Sequence, residues 1–287
     1  VAAVRACRPA QWLKNVLVFA APAAAGVLNT RDGLVAAITM FVAFCLVASG
    51  LYVWNDIGDR ASDRRHPVKR HRPVASGALP LRIAVVVGTA AIVAGLALAA
   101  IWLRAEAVGI LVVYAATTMA YTFWLKHVAV IDLLTVASGF VLRAAGGAVA
   151  AEVSMSRWFV LCTIFGSLFI VTGKRYAELR DIGDGAADVR STLGRYTPAY
   201  LRSVLTMSCT AAVLTYCLWA YDARVAHSND LYLFELSIIP MLGALLRYLL
   251  VIEHGDAAAP EKVFVSDRVL QLLGLCWLVL FAAGVYW

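Results

Sequence analysis

Residues 55–77 read NDIGDRASDRRHPVKRHRPVASG, with three Asp and six Lys or Arg in one short stretch. The apolar runs on either side hold hardly a charge. Of the 287 residues, 62% are hydrophobic and only 15% charged, and the mean hydropathy is +0.79. That balance excludes a soluble domain and points to a chain that lives in a lipid bilayer. The charged stretch is therefore a loop between two membrane crossings, and its charges call for an explanation.

A bilayer core about 30 Å thick takes about 20 apolar residues to cross as a helix. By that measure the sequence predicts an all-α, polytopic bundle of nine transmembrane helices, near 14–29, 34–54, 81–103, 107–125, 130–150, 158–174, 200–221, 231–252 and 268–286. The longest polar segments, near 55–80 and 175–199, are loops with short helical extensions, so residues 1–287 are expected to form a single transmembrane domain. Lys and Arg concentrate on the cytoplasmic side of short loops. With the N-terminus inside, 20 of the 25 Lys and Arg lie in the cytoplasm. The expected setting is the cell membrane, with the 55–77 loop and a polar cavity facing the cytosol. The six cysteines are scattered through apolar spans without CxxC spacing and read as small core residues. No cleavable signal peptide and no nucleic-acid partner are expected, and oligomeric state is left open.

If the second span continues as a helix, Asn55, Asp56, Asp59 and Asp63 fall at about 0°, 100°, 40° and 80° around its axis and share one face. Three carboxylates and an amide are hard oxygen donors of the kind that suits Mg²⁺, whose remaining positions are filled by substrate phosphates and waters. The competing reading is a solvated helix end whose acids neutralise nearby arginines. A second polar cluster, GKRYAELRDIGDGAADVRSTLG, begins at residue 173. There Lys174, Glu178 and Asp181 share a face, with Asp184 a turn further on. Two acidic faces at one membrane surface could clamp two metal ions on a diphosphate. Salt bridges such as Lys174–Glu178 are the alternative. His66 and His71 have no third ligand at zinc spacing.

NDIGDRASD resembles the NDxxDxxxD motif of the UbiA superfamily of intramembrane prenyltransferases. RPVASG at 72–77 is similar to the Arg-Pro segment that follows that motif, and nine spans agree with the family. The family's second motif is commonly DxxxD about ten residues before a basic-Ser-Thr run, here Arg190-Ser191-Thr192. This chain carries Arg180 at the first Asp position and matches only at Asp184. RPAQWLKN at 8–15, YTFWLKHVAVIDLLTVASGFVLRAAGGA at 121–148 and GKRYAELRD narrow the likeness. Together they resemble the branch of decaprenyl-phosphate phosphoribosyltransferases of cell-wall arabinan synthesis.

That resemblance implies Mg²⁺-dependent transfer of a 5-phosphoribosyl group from phosphoribosyl diphosphate to a polyprenyl phosphate lipid, with diphosphate released. It implies metal-binding or catalytic roles for Asn55, Asp56, Asp59, Asp63, Glu178, Asp181 and Asp184. Such a donor carries a second phosphate and the acceptor a third. Lys14, Arg64, Lys69, Arg72, Lys126, Lys174 and Arg175 are candidates to bind them, with Tyr176 beside them and Lys14 and Lys126 for the lipid phosphate. Each cation is also accounted for by positive-inside topology. Arg143 lies deep in the fifth span, where an unpaired cation costs at least about 3 kcal/mol. A carboxylate from another span, a backbone carbonyl or a substrate anion is expected beside it. Tyr52, Tyr114, Tyr121 and Trp124 could line a chain-binding groove or be core. Two other functions fit the same features: an aromatic prenyltransferase using a prenyl diphosphate, and a transporter.

Overall fold

The computed structural model describes residues 2–66, 68–182, 192–226, 231–254 and 260–287. Every regular element among them is helical, as a bilayer requires of backbone that must satisfy its own hydrogen bonds. Among the described residues, eight helices are long and apolar enough to cross a membrane: α1 (Arg31–Gly58), α2 (Leu81–Trp102), α3 (Ala105–Phe123), α4 (Ile131–Ala150), α5 (Arg157–Arg180), α6 (Pro198–Ala226), α7 (Leu233–Glu253) and α8 (Arg268–Tyr286). They correspond to the second to ninth expected spans.

The first expected span, 14–29, is not a helix of that length. It divides into a 3-10 stretch (Pro9–Phe19), a short α-helix (Ala20–Ala24) and a 3-10 turn (Val27–Asn29). Pro22 has no N–H to continue a helical ladder, and Gly26 turns the chain at φ 71°.

The chain forms two compact units. The first comprises Val1–Pro22, Val27–Thr135 and Leu142–Ser154. Thr30 starts α1 by accepting the Gly33 N–H at 3.2 Å, which satisfies one of the donors a helix start leaves open. Its core gathers Met40, Phe44, Val47 and Leu51 of α1 with Ala99, Leu111, Tyr114 and Val18. The α1–α2 seam is built on small residues, since lipid offers no hydrophobic drive between helices and close van der Waals packing must hold them. A Cβ on Gly50 would stand 2.4 Å from the Gly88 carbonyl oxygen; where α4 meets the N-terminal 3-10 stretch, one on Gly147 would stand only 1.8 Å from that of Val18.

The second unit comprises Ala23–Gly26, Val136–Val141 and Met155–Trp287. One of its cores packs Tyr216, Trp219, Phe234 and Phe281. The Tyr216 hydroxyl, buried there, is satisfied by the Trp277 Nε1–H and the Ser237 hydroxyl, each at 2.6 Å. Asp267 caps α8, accepting the Leu270 N–H at 2.8 Å while holding Arg247 at 2.8 Å.

Candidate active site

The acidic stretch lies wholly in the first unit. α1 runs on through Asn55 and Asp56 to Gly58, bends at Asp59, and restarts as a short helix, Arg60–Arg65, that carries Asp63. A 3-10 turn (Lys69–His71) and the helix Pro73–Ser76 follow. Pro73 opens that last helix, where its missing N–H costs nothing. Arg64 donates Nε–H to the Ala75 carbonyl at 3.0 Å, tying the acidic helix to the RPVASG segment. His66 shapes the turn between them, its Nδ1 accepting the Val68 N–H at 3.2 Å and the Lys69 N–H at 3.3 Å. Burial, with the Lys69 charge, holds its imidazole below the ordinary histidine range, which keeps that nitrogen free to accept.

The four residues expected on one face sort into two pairs. Asp56 and Asp63, about 20° apart on the helical projection, are both buried, and Arg72 Nη1 stands between them, 3.2 Å from Asp56 Oδ1 and 2.8 Å from Asp63 Oδ2. Arg8 also donates to Asp56 Oδ1 and lies over the Tyr52 ring, 5.2 Å from its centroid. Asn55 and Asp59 make the other pair. Asn55 Nδ2 donates to Asp59 Oδ2 at 3.1 Å, Thr122 donates to Asn55 Oδ1 at 3.3 Å, and Lys126 Nζ sits 2.6 Å from Asp59 Oδ1. Three carboxylates thus meet three cations: Arg8, Arg72 and Lys126.

Does this donor set suit a divalent cation? No group of three or more His, Cys, Asp or Glu side chains among the described residues is close enough to hold a metal ion. Yet one positive nitrogen already bridges the carboxylates of Asp56 and Asp63. Mg²⁺ is commonly bound through one or two carboxylates, with waters and substrate phosphates in its other positions. On that criterion the Asp56–Asp63 pair fits, with Asp59 and Asn55 adjoining.

The other expected residues are distributed as follows. Lys14 and Lys69 are half-buried. Arg143 is buried; Asn15 Oδ1 accepts its Nε–H at 2.6 Å and the Tyr114 hydroxyl its Nη2–H at 2.8 Å. A side-chain amide and a phenol are thus among its partners, and Tyr114, its ring centroid 4.8 Å from the guanidinium, is a core residue. In the second unit, Glu178 pairs with Arg175 at 2.7 Å and more loosely with Lys174 at 4.0 Å. Tyr176 is buried, its hydroxyl accepting from Arg202 at 2.7 Å and donating to Glu253 at 3.3 Å. The backbone of Asp181 is helical. The expectation for its side chain, like that for Asp184, lies outside what is described.

Arg8, Trp12, Asn15, Thr122, Glu253 and Arg202 were not singled out as site residues from sequence. The first three stand within RPAQWLKN, so a signal was present. What it lacked was a partner, because their contacts with α1 are about 30 to 50 positions away in sequence.

A family model described as the UbiA prenyltransferase family matches residues 15–285. A decaprenyl-phosphate phosphoribosyltransferase of Corynebacterium glutamicum is 44% identical over 99% of this chain and 86% of its own. Proteins of the same name from Mycobacterium tuberculosis and Mycolicibacterium smegmatis are 44% and 42% identical, over 98% and 99% of this chain and 93% and 92% of theirs. Among solved structures, a UbiA homolog from Archaeoglobus fulgidus bound to GPP and Mg²⁺ superposes with a TM-score of 0.74, covering 99% of this chain and 98% of that one at 16% identity. The all-helical fold, the acidic stretch at the end of α1 and these likenesses agree: the chain belongs to the UbiA prenyltransferase family.

Proposed function

We propose that this protein transfers the 5-phosphoribosyl group of phosphoribosyl diphosphate to a polyprenyl phosphate in the membrane. The observation that carries the reading is 42–44% identity, over nearly the whole chain, to proteins named for that transfer. The bond between ribose C1 and the diphosphate oxygen breaks, the diphosphate leaves with the electron pair, and an acceptor phosphate oxygen bonds to C1. That acceptor is already anionic near neutrality, so no general base is required, and the site's task is positioning and charge stabilisation.

Asp56 and Asp63, with Asp59 and Asn55, are the residues that would hold Mg²⁺. When bound, the ion would supply charge neutralisation for the departing diphosphate. Arg72, Arg64 and Lys69 are the proposed cations for the donor, and Lys14 and Lys126 for the lipid phosphate. Arg72 suits a phosphate better than a lysine would, because its planar fork binds two oxygens at once. Glu178, Asp181 and Asp184 are proposed as a second acidic group of the same chemistry, flanked by Lys174, Arg175 and Tyr176. We place the reaction at the cytoplasmic face of the cell membrane.

The test is thermal unfolding of the purified protein. Phosphoribosyl diphosphate at a hundred times its dissociation constant should stabilise the fold by about 2.7 kcal/mol, with Mg²⁺ and not with chelator. Asp59→Asn should abolish that protection and lower turnover on a polyprenyl phosphate by about a hundredfold or more. Protection by geranyl diphosphate in place of phosphoribosyl diphosphate would overturn the assignment in favour of prenyl transfer.

A further inference from the structure

The N-terminal 3-10 stretch lies along α1 as a three-point ladder. Arg8 meets Asp56, the Trp12 Nε1–H donates to the Ser49 hydroxyl at 3.0 Å, and Asn15 Nδ2 lies 3.2 Å from Cys45 Sγ. From Cys45 to Asp56 an α-helix rises about 16 Å; seven residues from Arg8 to Asn15 would rise about 10 Å as α-helix but about 14 Å as 3-10. The tighter winding lengthens the segment toward the register of its partner. It also brings every third residue to one face, so Trp12 and Asn15 point the same way. At the far end of the ladder, Asn15 is fixed in turn by Arg143. At the near end stands Arg8, in the left-handed region at φ 51° and ψ 62°, a conformation disfavoured for a residue with a Cβ and found where the surroundings impose it. The ladder delivers one guanidinium to one buried carboxylate.

That carboxylate already has Arg72. Within the Asp56–Asp63 pair the charges balance, two acids against Arg8 and Arg72, and Lys126 balances Asp59. Among those six side chains no positive charge is left over for a polyanion. The side chain of Arg8 is 27% exposed against 1% for Asp56, so a ligand arriving from water can reach the guanidinium first. We propose that Arg8 is an anion-binding residue of the donor site, parked on Asp56 and released to a phosphate group when a divalent cation takes that carboxylate. Cation entry converts the balanced cluster into one with two surplus positive charges, and Arg8 becomes free to meet the second phosphate that distinguishes a phosphoribosyl diphosphate from a prenyl diphosphate. The inference rests on the proposed donor and metal reading and adds a sign to it: Arg8 competes with the metal and cooperates with the anion.

The experiment is calorimetric titration of the full chain in nanodiscs, first with MgCl₂ alone and then with phosphoribosyl diphosphate at saturating Mg²⁺. Arg8→Gln should bind Mg²⁺ alone at least threefold more tightly than wild type and bind the donor at least tenfold more weakly. Opposite shifts are the signature, because loss of a mere tether would move both constants the same way or neither. Arg8→Lys keeps the charge without the fork and should leave Mg²⁺ binding within twofold while weakening the donor three- to tenfold. It carries the test if Arg8→Gln does not fold. Both constants within twofold of wild type in either variant, or both weaker in proportion, overturns the proposal. If the wild type binds Mg²⁺ but not the donor, the functional reading fails on its own, and Arg8→Gln failing to tighten Mg²⁺ still decides against the exchange.

Discussion

Asp267 shows how a single side chain can serve two structural ends. It caps α8 through the Leu270 N–H and holds Arg247, and these contacts, Arg247 first, keep its carboxyl below the usual aspartate range. A carboxyl depressed in the folded state contributes stability that is present above its unfolded value and lost as pH falls through the folded one. Between about pH 5 and pH 3 the melting temperature of the wild type should therefore fall more steeply than that of Asp267→Asn, as scanning calorimetry in detergent would register. Equal slopes would count against the capping role. At this scale the acidic stretch was legible in the sequence to a useful degree. The helical projection places Asn55, Asp56, Asp59 and Asp63 on one face, and the folded chain joins them as two pairs, Asp56 with Asp63 through Arg72 and Asn55 with Asp59. What it could not reveal was the cations. Arg72 is close in sequence and was named, whereas Arg8 reaches Asp56 only through the folded path of the N-terminal segment. The depth of Arg143 in its span calls for a partner, but the sequence does not say which residues provide one. The amide of Asn15 and the phenol of Tyr114 each accept one of its N–H groups through a neutral oxygen.

Helices in this chain approach one another through backbone, and the glycines mark where. Gly147 of α4 has the Val18 carbonyl where its Cβ would be, while Gly109 of α3 has nothing within 4 Å of that position. Gly147→Ala should destabilise by roughly 3 kcal/mol or more through forced separation of the two segments. Gly109→Ala should be neutral or mildly stabilising, as helix propensity favours alanine by about 1 kcal/mol. Comparative unfolding of the two variants checks this, and equal effects would argue against close α4–Val18 packing. Eight of the nine expected spans correspond to long helices because an apolar run of span length has one backbone solution in lipid. The N-terminal run departs from that pattern because Lys14, Asn15 and Pro22 interrupt it and its hydrogen bonding tightens to 3-10. Hydropathy windows register the apolar content of such a run but not its winding.

For the whole molecule the distribution of Lys and Arg makes a claim about sidedness that a labelling experiment can settle within one unit. Ser62 is exposed beside the acidic helix, and Glu106 is exposed at the start of α3. With the N-terminus in the cytoplasm, a membrane-impermeant maleimide should modify Ser62→Cys only in inside-out vesicles and Glu106→Cys only in right-side-out ones. The reverse pattern would invert the topology and remove the cytosolic donor from consideration. The winding of the N-terminal segment also bears on how such chains are counted. Eleven residues at about 2.0 Å each, followed by five at about 1.5 Å, extend about 30 Å. That equals the thickness of a bilayer's hydrocarbon layer. Distance across a membrane is set by rise per residue as much as by residue number, so a segment four residues short of the usual helical length can have the reach of a full crossing. Counting residues at 1.5 Å each does not register that reach.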